Sequence, residues 1–369
     1  MNTKLTTQNI TSKPRLRILV ISDGITGHIN LSHGLLNWIG NRYEYKVQFV
    51  DSRLHAKPLS RLILPWLIQW KISPNLLTQF YKYSNIELEQ PNIIISMGGN
   101  TSFLNIALAR SLNIPNIFMG SKRRLNPDDF SAHLTLEPTN QAHNIVMKIS
   151  PSVINPSKLA QQGVQLRNTL KCTKKDKIYL IALGGDGSGY RYDKTACKQI
   201  ANLMKTISQE DNCKWLLTTS RRTGGKVEST LQSLLDPKLL IDAVWWNEKP
   251  RPILNHFMGA ADQIFVSIDS MSMIGEAIAS GKPTILLEPK SAAPNSNYKQ
   301  TLENYCNASY CSIHQLNKSK VSPSISGSNH LVSAREDVLN KLSPILNTAI
   351  QNANKSPSLN QTVKTVLEY

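Results

Sequence analysis

Residues 178–190 read Ile-Tyr-Leu-Ile-Ala-Leu-Gly-Gly-Asp-Gly-Ser-Gly-Tyr, an apolar run that ends in four glycines within six residues. An unbroken apolar run suits a parallel strand buried on both faces. The glycines suit a loop at which backbone must come close to a neighbour or a ligand. Residues 193–208 then carry a helical pattern. Strand, loop and helix in that order make the repeating unit of a doubly wound α/β fold.

Working outward, the same unit recurs along the chain. Strands are expected at 16–21, 46–50, 92–96, 116–119 and 132–136 in the first half, and at 178–183, 214–219, 240–245, 263–268 and 284–287 in the second. Helical patterns lie between them at 31–39, 101–111, 193–208 and 272–279. The fold class is therefore α/β, with two doubly wound Rossmann-like domains expected to face a central cleft. The first domain is expected over 1–165, the second over 166–345, and a helix end with a polar tail over 346–369. Residues 150–177, with Pro151, Pro156 and Gly163, read as the boundary; 317–329 read as a second loop and 351–358 as frayed.

Composition bounds the function. The 369 residues are 40% apolar, which excludes a disordered or fibrous chain and favours two domains of ordinary size. Lys and Arg number 42 against 25 Asp and Glu, a net charge of +17. Such a charge attracts nucleic acid, anionic membrane or phosphorylated small molecules. No nucleic-acid module is visible, and the aromatic residues form no stacking platform beside basic ones. The cysteines Cys172, Cys197, Cys213, Cys306 and Cys311 are scattered, without a Cys-x-x-Cys pair, which excludes a zinc site and reads as reduced thiols in a cytosolic chain. Residues 1–13 are polar with no hydrophobic signal core, and no apolar run is long enough to span a membrane.

In open α/β sheets ligands lie beyond the carboxyl ends of the strands. The residues there are the candidates. After the first strand comes Ser22-Asp23-Gly24-Ile25-Thr26-Gly27-His28. Gly24 and Gly27 permit a tight turn, and His28 or Asp23 is a candidate base, with Asp23 otherwise orienting His28. The plain alternative is a turn capped by Thr26 or Asp23. Gly98, Gly99, Asn100 and Thr101 follow the strand at 92–96, and either polar residue could equally cap the next helix.

In the second half, Gly184, Gly185, Asp186 and Ser188 read as a phosphate- or sugar-facing loop, the plain alternative being a flexible surface turn. It is neither the dinucleotide fingerprint nor a P-loop. Ser220, Arg221, Arg222 and Thr223 follow the next strand; two guanidinium forks flanked by hydroxyls suit a diphosphate. Asp269, Ser270, Ser272, Met273 and Glu276 lead from a strand into an apolar helix. Glu276 lies beyond the third helical position of either possible cap, so a capping box does not explain it; a carboxylate there suits ribose hydroxyls.

One feature differs in kind. Residues 52–86 hold five basic residues and no acid, around Leu62-Ile-Leu-Pro-Trp66-Leu-Ile-Gln-Trp70. Leu62, Trp66 and Trp70 share a helical face, which suits a membrane interface or, more simply, a buried core helix.

The motifs Ser22-Asp23-Gly24-x-x-Gly27-His28, Leu183-Gly184-Gly185-Asp186, Thr219-Ser220-Arg221-Arg222-Thr223 and Asp269-Ser270-x-Ser272-Met273-x-x-Glu276-Ala277 occur in that order. Together they resemble the mitochondrial fission ELM-like family. Its members are mostly bacterial, and its fold is related to glycosyltransferase-B enzymes. The resemblance spans most of 18–289 and is strongest in the second half. It implies that Glu276 binds the ribose of a nucleotide-sugar and that the first domain takes the acceptor. The first half departs from the pattern: Leu136-Glu137-Pro138-Thr139 stands where a His-Asp pair is expected, with His133 upstream, and Gly120-Ser121-Lys122-Arg123-Arg124 replaces a Pro-Arg type of sequence.

The resulting expectation is a glycosyltransferase of the cell envelope, acting on a glycan or lipid-linked acceptor such as lipopolysaccharide core. It would be cytoplasmic and peripheral on the inner membrane through Trp66 and Trp70. No Asp-x-Asp metal motif ends a strand, so no metal or cofactor is expected besides the nucleotide-sugar substrate. The alternative is a non-catalytic peripheral membrane or scaffold protein that keeps the fold.

Overall fold

Apolar runs as long as those at 93–97 and 178–182 can be covered only from both faces, and each becomes a strand walled by helices. The computed structural model describes residues 15–86, 90–318 and 328–355. Residues 1–14, 87–89, 319–327 and 356–369 lie outside it, and with them the polar start, most of the second expected loop and the end of the tail.

The chain divides into two units. Unit 1 comprises the residues up to Val146 together with those from Val338, and unit 2 comprises Met147–Asp337. Unit 1 runs β1 (Arg15–Ser22), α1 (Thr26–Ile39), β2 (Glu44–Leu54), α2 (Lys57–Gln69), α3 (Pro74–Thr78), β3 (Tyr81–Tyr83), β4 (Ile93–Met97), α4 (Ser102–Leu112), β5 (Asn116–Met119), β6 (Ala132–Thr135) and β7 (Asn144–Val146). Unit 2 runs α5 (Pro156–Thr169), β8 (Lys177–Ala182), α6 (Lys194–Asp211), β9 (Cys213–Thr218), α7 (Gly225–Leu234), β10 (Leu240–Val244), α8 (Leu254–Ala260), β11 (Gln263–Ser267), α9 (Met271–Ala279), β12 (Thr284–Glu288), α10 (Ser296–Asn307) and β13 (Ser312–Gln315). The last helix, α11 (Ser328–Lys355), begins in unit 2 and ends in unit 1.

The sheet of unit 1 has the order β3-β2-β1-β4-β5-β6-β7, and that of unit 2 the order β10-β9-β8-β11-β12-β13. All the pairings are parallel except β2 with the edge strand β3. In each sheet the order reverses once, between β1 and β4 and between β8 and β11. Those reversals open a crevice above the carboxyl ends of the strands.

The expected strands and helices form within a few residues of their predicted ends. The short strands β3, β7 and β13 were not foreseen. The domain boundary is corrected. The chain divides after Val146, ahead of the expected 150–177, whose centre α5 occupies, packed on α8 within unit 2. Asn155 caps α5 by accepting from the backbone N–H of Ser157 and Lys158, and Pro156 sits in its first turn, where a missing N–H costs nothing. Gly163 faces Gly259 so closely that a Cβ on Gly163 would lie 2.1 Å from the Gly259 carbonyl. Arg167 pins the same pair through Ala260 O at 2.8 Å and Asp262 Oδ2 at 2.7 Å.

The expected end of the second domain at 345 is corrected too. In α11, Val338, Leu339, Leu342, Leu346 and Ala349 are buried. Tyr43 donates to Asn347 Oδ1 at 3.1 Å and Arg42 to Ser343 Oγ at 3.3 Å, tying this stretch to unit 1. The five cysteines are free thiols. No helix among the described residues is long and apolar enough to cross a membrane.

Candidate functional site

In unit 2 the loops after β8, β9 and β11, three neighbours in the sheet, are bonded into one cluster at the reversal of strand order. Ser220 Oγ donates to Gly184 O, and Thr223 Oγ1 donates to Leu183 O at 3.0 Å while accepting from Ser220 N. Gly184 N–H donates to Ser267 Oγ at 2.6 Å, and that hydroxyl donates onward to Asp269 Oδ1 at 2.6 Å. Ser188 Oγ donates to Asp269 O at 2.9 Å.

The glycines are required by this packing. A Cβ at Gly184 would lie 2.6 Å from Asp269 Oδ2, and at Gly185, where φ is +111°, 2.4 Å from Arg222 O. The 184–189 segment is therefore held between the other two loops. Asp186 is exposed and accepts from Tyr192 N at 2.8 Å, so its carboxylate shapes the turn.

The two arginines differ. Arg222 Nη2 lies 2.9 Å from Asp269 Oδ2, an ion pair whose carboxylate is fully buried. The pairing is close but poorly aligned, and that oxygen receives no regular hydrogen bond. Burial pushes the Asp269 carboxyl up to about 6, against the pull of Ser267 and Arg222. Arg221 is exposed and has no partner among the described residues.

Neither Asp269 nor Ser270 caps α9. Ser270 occupies the N-cap position without a side-chain cap bond, and Asp269 is spent on Ser267 and Arg222. The first amide of α9 to reach a carbonyl is that of Ile274, which leaves the N–H groups of Met271, Ser272 and Met273 open. Ser272 is exposed and Met273 half-buried. One turn on, Glu276 is half-buried, and its carboxylate makes no ion pair or hydrogen bond among the described residues. Burial pushes its carboxyl up to about 7.

That shift has a sign. Glu276 holds its proton to higher pH folded than unfolded, so the folded chain binds more protons between about 4.5 and about 7. Stability therefore falls as pH rises through that window, and Asp269 adds the same slope at lower pH. Glu276→Gln is expected to gain about 1–3 kcal/mol over the parent at pH 8 relative to pH 4.5. Urea unfolding at the two pH values checks this, and an equal difference at both removes Glu276 as the titrating group.

Sequence reasoning missed the supports. Tyr192 OH donates to Leu287 O at 2.7 Å and accepts from Ile268 N, and Tyr298 OH donates to Ile268 O at 2.8 Å. Glu228, buried in α7, takes the Thr219 hydroxyl and the Asn247 amide. An open depression of about 370 Å³ after β10 is lined by Ala243, Trp245, Glu248, Lys249 and Arg251. None of these was legible from spacing.

In unit 1 the loops after β1 and β4 meet at the other reversal. His28 Nδ1 lies 3.0 Å from both Asp23 oxygens. Asp23 also accepts from Ile25 N at 3.2 Å. Neither Thr26 nor Asp23 caps α1: Ile25 is at its N-cap, without a side-chain bond. Gly24 turns the chain with φ +77°, and Gly27 has open space around it. Gly98, with φ +88°, lies under the imidazole; a Cβ there would be 2.4 Å from His28 Nδ1.

Asn100 and Thr101 do not cap α4. Thr101 Oγ1 donates back to Met97 O and Gly98 O. Asn100 Oδ1 accepts from Arg61 and Arg123, and Gly99 O accepts from Arg123. His133 is not free: its Nε2 pairs with Gly120 O at 2.8 Å, its ring stacks on Phe118, and burial lowers its pKa.

Trp66 and Trp70 do not join the core. They are 53% and 68% exposed, edge-to-face at 6.3 Å, and form a ridge with Leu59 and Leu62. Arg53, Lys57, Lys71 and Lys82 are exposed in the same stretch. The simpler reading of a buried helix therefore fails for this face, while Leu64, Pro65 and Ile68 line the inner one. Among the described residues no group of three or more His, Cys, Asp or Glu is placed to hold a metal ion.

A family model described as mitochondrial fission ELM1 matches residues 26–308, a span that takes in His28, the 98–101 loop and every site loop of unit 2. No curated protein matches the chain. Among solved structures, the chain is similar to ADP-heptose LPS heptosyltransferase II from E. coli, at 11% identity and TM-score 0.44, covering 90% of this chain and 99% of that one. It is similar to a family 9 glycosyl transferase from Veillonella parvula, at 11% identity and TM-score 0.46, covering 90% and 97%. It is also similar to UDP-GlcNAc 2-epimerase from Methanocaldococcus jannaschii, at 12% identity and TM-score 0.47, covering 90% and 93%.

Proposed function

The chain belongs to the mitochondrial fission ELM1 family, and on that premise we propose that it is a glycosyltransferase whose unit 2 binds a nucleotide-sugar. The observation that carries the reading is the cluster above β8, β9 and β11. It joins an uncommitted Arg221, an arginine held by a buried carboxylate, the open amides of α9 and the unpartnered Glu276.

Each part has a role in this reading. The diphosphate lies at the start of α9, where open N–H groups and the helix dipole favour an anion. Arg221 and Arg222 take the charge that develops on it as the sugar leaves. Ser220 and Thr223 hold the arginine loop against Gly184 and Gly185, and Asp186 and Ser188 fix the glycine loop. Ribose hydroxyls donate to Glu276, giving its carboxylate the partners it lacks.

In unit 1 the acceptor hydroxyl gives its proton to His28 Nε2. Asp23 holds the Nδ1–H and stabilises the imidazolium that forms. The acceptor oxygen bonds to the anomeric carbon, the bond from that carbon to the phosphate oxygen breaks, and a nucleoside diphosphate departs. The Trp66–Trp70 ridge and its basic neighbours suit an anionic membrane surface and so a lipid-linked or cell-envelope acceptor, at the cytoplasmic face of a bacterial inner membrane.

Thermal shift with UDP-, GDP-, ADP-, dTDP- and CMP-sugars tests the donor site. One nucleotide class is expected to raise the Tm by about 2–6 °C at saturation, and Arg221→Ala/Arg222→Ala to abolish the rise. No rise with any donor, alone or with lipid-linked glycan present, favours the non-catalytic membrane or scaffold protein instead.

A further inference from the structure

Arg61 on α2 and Arg123 after β5 are distant in sequence yet bond to one atom. Arg61 donates to Asn100 Oδ1 from Nε and Nη2 at 3.1 and 3.0 Å, and Arg123 donates to the same oxygen from Nη2 at 3.1 Å. Arg123 Nε donates to Gly99 O at 2.9 Å. Tyr81, buried, fixes the loop from below by donating to Asn100 O. Both arginines are half-buried.

Guanidinium groups only donate, so the amide must turn its oxygen to both. Two cations are thus held close on one neutral acceptor. No carboxylate among the described residues pairs with either, and the Nη1 group of each has no hydrogen-bond partner there. Burial and the neighbouring Arg61 both press the Arg123 pKa downward, as expected where the compensating charge is missing. Like charges brought together without an anion oppose folding, so a stable pair of this kind needs an anionic partner.

We propose that Arg61, Arg123 and the Gly99–Asn100 turn form a binding site for a phosphate group, carried by the acceptor; the assignment to the acceptor rests on the transferase reading above. A carboxylate satisfies one guanidinium fork. Two forks with spare donors match the larger number of oxygens on a phosphate. The site adjoins the base, since Gly99 follows the Gly98 that lies under His28. A phosphate gripped there would fix an acceptor hydroxyl near Nε2. The phosphate is either that of a soluble phosphorylated glycan or that of a lipid headgroup, because the ridge on α2 includes Leu62, beside Arg61.

The decisive variant is Asn100→Asp. It is nearly isosteric and places a carboxylate between the two guanidiniums. Without ligand it is expected to raise the Tm of the full chain. It is also expected to weaken inorganic phosphate at least tenfold, as read by calorimetry and by the ligand-induced Tm rise. Arg61→Gln/Arg123→Gln repeats the loss by another route, so one misfolded variant does not decide the matter. Arg221→Ala/Arg222→Ala is expected to keep the response.

Co-sedimentation with phosphatidylcholine vesicles, with and without phosphatidic acid, separates the sources. Capture only with phosphatidic acid, lost in Asn100→Asp, assigns the site to a lipid headgroup. Binding of free phosphate without that capture assigns it to a soluble acceptor. Phosphate binding unchanged in Asn100→Asp, or no response in either arm, overturns the proposal. A response lost only in the Arg221→Ala/Arg222→Ala variant also overturns it, while leaving the donor site intact. Failure of every nucleotide-sugar beside an Asn100-dependent phosphate response leaves the anion site standing without the transferase reading.

Discussion

His28→Ala is expected to lower turnover by about two to four orders of magnitude while donor affinity stays unchanged. The imidazole is held on two sides. Asp23 takes Nδ1 at 3.0 Å with both oxygens and Gly98 lies against the ring, while one turn on in the same helix Ser32 Oγ donates to the His28 carbonyl at 3.0 Å. That leaves Nε2 as the basic nitrogen and gives the proton a fixed destination. Asp23→Asn should also lose activity, because an amide can stabilise the wrong tautomer and no longer offsets the imidazolium charge. The measurement is single-turnover release of nucleoside diphosphate with the donor identified by thermal shift. Wild-type release by His28→Ala would move the base elsewhere; loss of donor affinity in the same variant would give His28 a binding role instead.

The largest expected effect on stability lies far from any loop that faces a ligand. Gly163→Ala is expected to destabilise the chain by about 3 kcal/mol or more, because the added methyl meets backbone and no side chain can turn away. The Gly259 carbonyl lies 2.1 Å from where that Cβ would sit, and a Cβ on Gly259 would in turn lie 2.1 Å from Leu159 O. The two helices must separate to admit either. Gly225→Ala is the control. It lies in the first turn of α7 with nothing within 4 Å of its Cβ position, and helix propensity favours alanine there by up to about 1 kcal/mol. Denaturant midpoints of the two variants should therefore move in opposite directions. A Gly163→Ala chain as stable as its parent would show that α5 does not cross α8 at this glycine.

The main strands were legible because burial on both faces leaves little room for polar residues, as at 93–95 and 178–182. Tyr81–Tyr83, Asn144–Val146 and Ser312–Gln315 were not, because edge strands of three or four residues carry mixed side chains that have no period to read. Helix α5 was missed for a different reason. Pro156 and Gly163 are helix breakers by propensity, but here one occupies the first turn and the other a helix crossing. In the site, the candidate positions followed from the rule that ligands gather at strand ends. Their pairings did not, since Arg222 with Asp269, or Arg61 with Arg123 on Asn100, are decided by tertiary packing. Arg123 stood in a stretch noted only for departing from a familial pattern, and nothing in the sequence marked Arg61.

The return of α11 to unit 1 has a bearing on biosynthesis. Unit 2 is one continuous stretch of polypeptide, whereas unit 1 is made of a leading segment and the stretch from Val338 onward. A ribosome therefore delivers every residue of unit 2 before it delivers the buried Val338, Leu339, Leu342 and Leu346 that complete unit 1. The usual order, in which the first-made domain is finished first, is inverted. Until translation passes those residues, the nascent chain carries an incomplete leading domain, with the apolar surface that α11 will cover open to whatever chaperones attend it.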